Sequence, residues 1–236
     1  MRAWWFWIHK WIGLIVGLQI LAWMVSGLFM TWFPIERVRS EHLIREVAPR
    51  GMQQAVDLTR ATLPLATLSV PISRLELADV AGRWMWRIDV NGKPHALYDI
   101  AAARMVSPLD EAAARAIAVA DYAGDGKIVS ATLIEKDAPI EYRSTLPVWQ
   151  FVFDDADATH LYVQPLTGKV AARRSGLWRM YDFLWSLHIM DYTERDNFNN
   201  WPVVIMSLLG VLLTVSGIAI LVYRFWPKRF ATRNSE

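Results

Sequence analysis

Apolar residues in this chain form two unbroken runs near its ends, and between them they alternate with polar ones. Trp11 to Phe33 is a run of 23 residues without a charge, and Asn197 to Tyr223 is a run of 27, apolar from Trp201 onward. A hydrocarbon core of ~30 Å is crossed by about 20 apolar residues of helix at about 1.5 Å each. Both runs are therefore expected to span a membrane, over residues 11–33 and 201–223. Everything from Pro34 to Asn200 then lies on one side.

The middle of the chain has shorter periods. Pro34 ends the first helix, since its ring has no N–H to donate. Glu36 to Glu46 mixes charges with Ile35, Val38, Leu43 and Ile44, the pattern of an amphipathic surface helix. Met52 to Thr62 predicts a short helix. Ser73 to Val90 has strand character, with period-two alternation through Trp84, Trp86, Ile88 and Val90. Asn91-Gly92 is a hairpin signal, because a type I′ turn needs positive φ at both residues. His95 to Val106 is the return strand. Asp110 to Tyr122 predicts a helix, with Asp110 near its start and Gly124 past its end. Lys127–Glu135, Pro147–Phe153 and Thr159–Val170 read as three more strands. Gly176 to Met190 is an aromatic helix lying on the outer leaflet or dipping into it.

An internal echo organises these elements. Trp86 to Tyr98 to Val106 parallels Trp149 to Tyr162 to Val170, with Trp-to-Tyr spacings of 12 and 13 and Tyr-to-Val spacings of 8 in both copies. Each copy follows a helical segment. The expected fold class is α+β: two transmembrane helices flanking an extracytoplasmic module of two helix-plus-antiparallel-strand repeats. The expected organisation is a cytoplasmic N-terminus (1–10), a first span (11–33), an extracytoplasmic domain (34–176), an aromatic helix and linker at the outer face (177–200), a second span (201–223) and a cytoplasmic basic tail (224–236).

Composition sharpens this reading. The chain has 236 residues, 54% of them hydrophobic, a net charge of +2, 13 tryptophans and no cysteine. The spans leave about 165 residues for one water-exposed module, enough for its own core. Near-neutral charge argues against a nucleic-acid partner. Without cysteine there are no disulfides, thiolate metal sites or Cys nucleophiles. The first apolar run is too long for a signal peptide, and its flank Thr31-Trp32-Phe33-Pro34 is bulky, so it reads as a retained anchor. Arg2 and Lys10 before it, and Arg224, Lys228, Arg229 and Arg233 after the second, put both termini in the cytoplasm by the positive-inside rule. Arg37, Arg39 and Arg45 lie on the other side. Trp4, Trp5, Trp7, Trp11, Trp32, Trp201 and Trp226 sit where interfacial aromatic belts belong.

At this point the residues resemble a family. His9-Lys10-Trp11-Ile12-Gly13-Leu14, with Val25-Ser26-Gly27-Leu28 closing the span, is similar to the opening of PepSY-associated transmembrane proteins. Leu161-Tyr162-Val163-Gln164-Pro165-Leu166-Thr167-Gly168-Lys169-Val170 resembles the closing hairpin of a PepSY domain. Leu187-His188 and Val215-Ser216-Gly217 fit the same likeness, which covers nearly the whole chain. Larger relatives with four spans include inner-membrane reductases of ferric siderophores, in which transmembrane histidines are thought to hold b-type haem. The resemblance thus implies a two-pass protein of the bacterial inner membrane and haem-linked electron transfer to an extracytoplasmic acceptor such as a ferric chelate. It equally accommodates a non-catalytic envelope protein acting through its PepSY domain.

The histidines carry that choice. Neutral imidazole is an axial ligand for haem iron. His9, Gly13 and Gly17 share one helix face, where a macrocycle or another helix can approach closely. His188 lies in the aromatic helix at the membrane edge, and His42 lies on the same outer side. The candidate haem-binding residues are His9, His188 and His42, with His9 and His188 as candidate iron ligands. The structural reading stands beside this: His9 as an interfacial polar group, His188 as a tip reaching water. His9 lies about 37 Å of helix from Pro34, so His9 and His188 belong to opposite leaflets. They cannot share one iron within one chain unless the aromatic helix crosses the bilayer: either a homodimer brings two copies of His9 together, or His188 pairs with His42 or with a membrane redox partner. The homodimer would pack through Gly13, Gly17, Ser26 and Gly27, or through Gly210, Ser216 and Gly217. His95 and His160 read as surface residues. Asp154, Asp155 and Asp157 read as a solvated turn rather than a cation loop. No phosphate loop, His-Glu-x-x-His, catalytic triad or dinucleotide fingerprint is present.

Overall fold

The computed structural model describes residues 2–46 and 71–225. The helix expected over Met52–Thr62, Trp226 and the basic residues beyond it lie outside the described residues. The chain divides into two compact units: Met1–Phe33 with Tyr181–Glu236, and Pro34–Met180.

Among its described residues the second unit holds two four-stranded antiparallel meanders. Strands β1 (Ile72–Val80), β2 (Arg83–Val90), β3 (Lys93–Asp99) and β4 (Arg104–Met105) form one sheet in chain order. After helix α3 (Glu111–Asp121), strands β5 (Ile128–Ile134), β6 (Val148–Phe153), β7 (His160–Val163) and β8 (Val170–Arg174) form the other. The sheet side chains alternate, as period two requires. Met85 and Leu97 of the first sheet share one core with Phe151, Phe153, Leu161 and Val163 of the second and with Ala114, Ile117 and Ala118 of α3. The intervening residues build separate outer clusters, Ile88, Ala96 and Tyr98 on one sheet and Val148, Tyr162 and Ala172 on the other. Asp110 caps α3, its carboxylate accepting from the Ala113 amide at 2.8 Å,.

Three expected strands are in fact hairpins, and His95–Val106 covers most of β3, a turn and β4. Ser73–Val90 is split by a turn at Ala81-Gly82, and Thr159–Val170 covers β7 and the turn into β8. Ala81 sits at φ +51°, with Asp79 accepting the Gly82 amide at 2.7 Å. The echo is present with a one-residue difference. Trp86 pairs with Tyr98, and both face the outer cluster. Tyr162 pairs with Gln150, and Trp149 turns to the shared core. An even spacing leaves the two rings on one face, and an odd one separates them.

The segment expected as one amphipathic helix over Glu36–Glu46 is broken. It forms α2 (Ile35–Val38) and a 3-10 turn (Glu41–Leu43), separated by Ser40 at φ +58°. Ile44 then bridges Tyr122 antiparallel, and the Arg45 amide donates to the Asp121 carbonyl at 2.7 Å. The backbone there is paired with α3's end, so it cannot continue a helical ladder.

The first unit contains α1 (Arg2–Trp32) and α5 (Trp201–Phe225). The stretches apolar and long enough to cross a membrane are His9–Trp32 and Trp201–Val222. The helices pack antiparallel: Gly13 lies against Leu213, Gly210 against Val16, and His9 against Ser216. Leu14, Leu18, Met24 and Leu28 of α1 and Leu208, Val211 and Leu212 of α5 remain exposed, as lipid-facing residues do,. α1 has 31 residues, about 46 Å of helix, which exceeds a hydrocarbon core of about 30 Å,.

Candidate functional site

The C-terminal end of α4 (Gly176–Ile189) is held against α1. A helix leaves its last carbonyls unpaired, and in apolar surroundings that is costly. The Trp23 indole N–H donates to the His188 carbonyl at 2.7 Å, and the Gln19 amide reaches the Leu187 carbonyl at 3.5 Å. Asn200 donates to the Ile189 carbonyl at 2.8 Å. The linker that follows is folded around Asp191, whose carboxylate accepts the backbone N–H groups of Thr193, Glu194, Asp196 and Asn197. Desolvation works against its charge, but these amides outweigh it and hold its pKa at about 2. Asp182, buried in α4, pairs with Arg195 at 2.9 Å.

This packing fixes the His188 ring. Its Nδ1 lies 2.9 Å from Ser26 Oγ. The single hydroxyl proton of Ser26 is directed to the Ala22 carbonyl at 2.7 Å. The Trp23 carbonyl is also in reach, at 3.1 Å, and with the hydroxyl proton on either carbonyl the serine oxygen would accept from Nδ1–H and leave the lone pair on Nε2,. Nε2 has no hydrogen-bond partner among the described residues. The ring has two aromatic neighbours, Trp185 stacked parallel to it and Trp23 tilted, each with its centroid 6.4 Å away. A Cβ added to Gly27 would sit 3.9 Å from its Cε1, an ordinary contact, so Gly27 packs close beside the ring.

His9 repeats the arrangement at the other end of α1. Ser216 donates its proton to the Leu213 carbonyl at 2.8 Å, and its oxygen lies 3.2 Å from His9 Nδ1. Each ring is thus engaged at Nδ1 by a serine oxygen, which leaves Nε2 without a hydrogen-bond partner among the described residues,. Their anchor points on α1, residues 9 and 26, are about 25 Å apart along the helix axis. The structure does not bring the two imidazoles together. His42 is an exposed residue of the sheet unit, its Nε2 lying 3.6 Å from Asp157. It belongs to a different compact unit from His188. Of the small residues expected at a homodimer contact, Gly13, Gly210 and Ser216 are occupied by α1–α5 packing and Ser26 by His188. Gly17 and Gly217 face open space.

The sheet unit contains a polar cluster that the sequence pattern did not reveal. Glu141, 6% exposed, accepts from His160 Nδ1 at 2.6 Å, the Tyr162 hydroxyl at 2.5 Å and Arg179 Nε at 2.6 Å. Gln150 donates to the Tyr162 oxygen at 2.7 Å. Burial opposes the Glu141 charge, yet the bonds from His160, Arg179 and Tyr162 bring its pKa down to about 2. Burial, and then the bond to Glu141, push the Tyr162 hydroxyl far above its ordinary value. His160 is therefore no plain surface residue. The available signal was the long β5–β6 connection, which a simple hairpin does not need. Nearby, Asp155 accepts from the Tyr122 hydroxyl at 2.7 Å and the Thr159 amide at 2.8 Å, while Asp154 accepts the Lys127 amide. Asp154, Asp155 and Asp157 thus point to separate partners, and His95 is exposed on β3.

A cleft of about 910 Å³ lies between the β1–β2 turn, α3 and the β7–β8 turn, lined among others by Arg45, Trp84, Arg87, Ile117, Lys169 and Arg173. Arg87 pairs with Glu76 at 3.2 Å and donates to the Thr167 carbonyl at 2.8 Å, and Arg173 forms a two-pronged pair with Asp121. Arg45 donates to the Tyr122 carbonyl at 2.8 Å.

No curated protein and no solved structure matches the chain. The family model described as the PepSY-associated TM region matches residues 6–236. Two apolar helices long enough to span, placed at either end of an α+β unit and matched by that model almost throughout, make this chain a membrane protein of the PepSY-associated transmembrane family.

Proposed function

We propose that this protein carries b-type haem in the bacterial inner membrane and passes electrons to an extracytoplasmic acceptor such as a ferric chelate. The observation that supports this reading is the paired presentation of His9 and His188, each held through Nδ1 by a helix serine, with Nε2 unpartnered among the described residues. An ionisable residue inside a span is a functional candidate by default. The donor chemistry fits an axial haem ligand. Haem, when bound, supplies a one-electron couple at the moderate potentials that electron transfer to a ferric chelate needs. Ser26 and Ser216 contact the two rings through Nδ1, and Trp23 and Trp185 lie beside His188. One chain offers one histidine at each level of α1, so a second copy or a redox partner supplies the opposite ligand. By the positive-inside rule both termini lie in the cytoplasm and residues 34–200 outside.

The test is the visible spectrum of the full chain in mild detergent from cells with ample haem. The reading expects a Soret band, with His9→Ala and His188→Ala each lowering haem per chain by about half if the two levels load independently. A colourless preparation from haem-replete cells overturns it.

A second reading, a non-catalytic envelope protein acting through its sheet unit, is favoured by the cleft beside Arg45 and Lys169. There the spans only anchor the unit, and the histidine substitutions leave partner recovery by crosslinking in intact membranes unchanged.

A further inference from the structure

A helix ends on four carbonyls that its own ladder leaves unpaired, and in apolar surroundings each needs a donor. In α4 they belong to Ser186, Leu187, His188 and Ile189. All four are served. The Asp191 amide donates to Ser186 at 3.1 Å across Met190, which sits at φ +53°. Asn200 serves Ile189, and α1 serves the other two through Gln19 and Trp23. Of the two contacts from α1, that of Trp23 to His188 is the short one, 2.7 Å against 3.5 Å. Trp23 lies within the apolar stretch His9–Trp32, where an indole N–H has to find its acceptor inside the protein,. The indole and the His188 carbonyl each supply what the other lacks.

Trp23 and Ser26 stand three residues apart, on one face of α1,. The first holds the His188 backbone, and the second meets the ring at Nδ1. A side chain held at its root and at its tip has few rotamers left to it. We propose that Trp23 is a positioning residue for His188: its indole N–H seats the carbonyl, and with Ser26 this sets where Nε2 points. The role takes its ligand chemistry from the haem reading above and adds the group that fixes one of the two ligands. His9 needs no counterpart, because it lies inside α1 and its carbonyl belongs to the helix ladder,.

The test uses the full chain in mild detergent, with folding checked by circular dichroism. Trp23→Phe keeps an aromatic body and removes only the N–H. In the haem-free protein with isotope-labelled histidine, NMR at alkaline pH reads the ring nitrogens directly. An imidazole held at Nδ1 shows them well separated, and one that mixes its two tautomers shows them drawn together. Trp23→Phe is expected to draw the His188 nitrogens together and to leave those of the other histidines in place. With haem, it is expected to speed haem transfer to an apoprotein acceptor about tenfold in the His9→Ala protein, where the His188 level remains, and to leave the rate in the His188→Ala protein unchanged. Trp23→Leu, which loses the same donor with a smaller side chain, must act in the same direction. Unmoved His188 nitrogens, or equally faster loss from both levels, overturn the role given to Trp23. A protein that takes up no haem yet shows the nitrogen response overturns the haem reading and upholds that role.

Discussion

His160 in the sheet unit and His188 in the helical unit are both held through Nδ1, yet by different groups. His160 meets Glu141, a carboxylate that also binds Tyr162 and Arg179. His188 meets Ser26, a neutral hydroxyl already committed to a helix carbonyl. In the first region the charges answer one another and the residues come from the β5–β6 connection, β7 and α4, so the cluster ties separate elements together. In the second, no carboxylate among the described residues pairs with the ring, and it is oriented without a charge partner. A closed ionic cluster suits a structural tie, whereas an imidazole held at Nδ1 by a hydroxyl, with Nε2 unpartnered among the described residues, suits the proposed ligand role,.

The largest expected effect falls on the closed cluster. Glu141→Ala leaves Arg179 and His160 without their carboxylate and is expected to cost about 3 kcal/mol, read by denaturant unfolding of the full chain. Haem content per chain should not change. The pH dependence follows from the same residue. The folded pKa of Glu141 lies below its usual 4.5, at about 2, so its stabilisation is present above about 4.5 and is lost as pH falls from there to 2,. Glu141→Gln should remove that part of the acid sensitivity. Thermal unfolding at stepped pH checks both.

Next comes the oriented imidazole. Ser26→Ala frees the His188 ring and is expected to weaken haem retention by about tenfold, measured by haem transfer to an apoprotein acceptor, with little change in unfolding. A Ser26→Ala protein that loses stability as Glu141→Ala does and keeps its haem would erase the contrast between the regions. Asp110→Ala, an ordinary helix cap, is expected to cost about 1 kcal/mol and serves as the scale for a local contact. His42→Ala should be smallest, below about 0.5 kcal/mol, since both partners of its contact are exposed,.

The parts of the fold that were legible are those with local chemistry. Two apolar runs marked the spans. Asn91-Gly92 marked the hairpin, and both residues adopt positive φ. Asp110 and the apolar spacing after it marked α3. The turn at Ala81-Gly82 was not legible, because alanine carries no preference for the left-handed region it occupies. The Glu141 cluster was not legible either. Its partners lie 19 to 38 residues away in sequence, a separation at which periodicity says nothing. His9 and His188 were visible as residues, but the serines that contact their Nδ1 atoms became meaningful only once the helices were packed.

The central claim, that His9 and His188 are oriented to bind iron, is tested most directly by haem stoichiometry. Haem per chain should be measured by reduced pyridine spectra in the unaltered protein and in the His9→Ala, His188→Ala double variant, both folded by circular dichroism. The account predicts stoichiometric haem in the first and none in the second. Equal haem in both, or none in either from haem-replete cells, contradicts it.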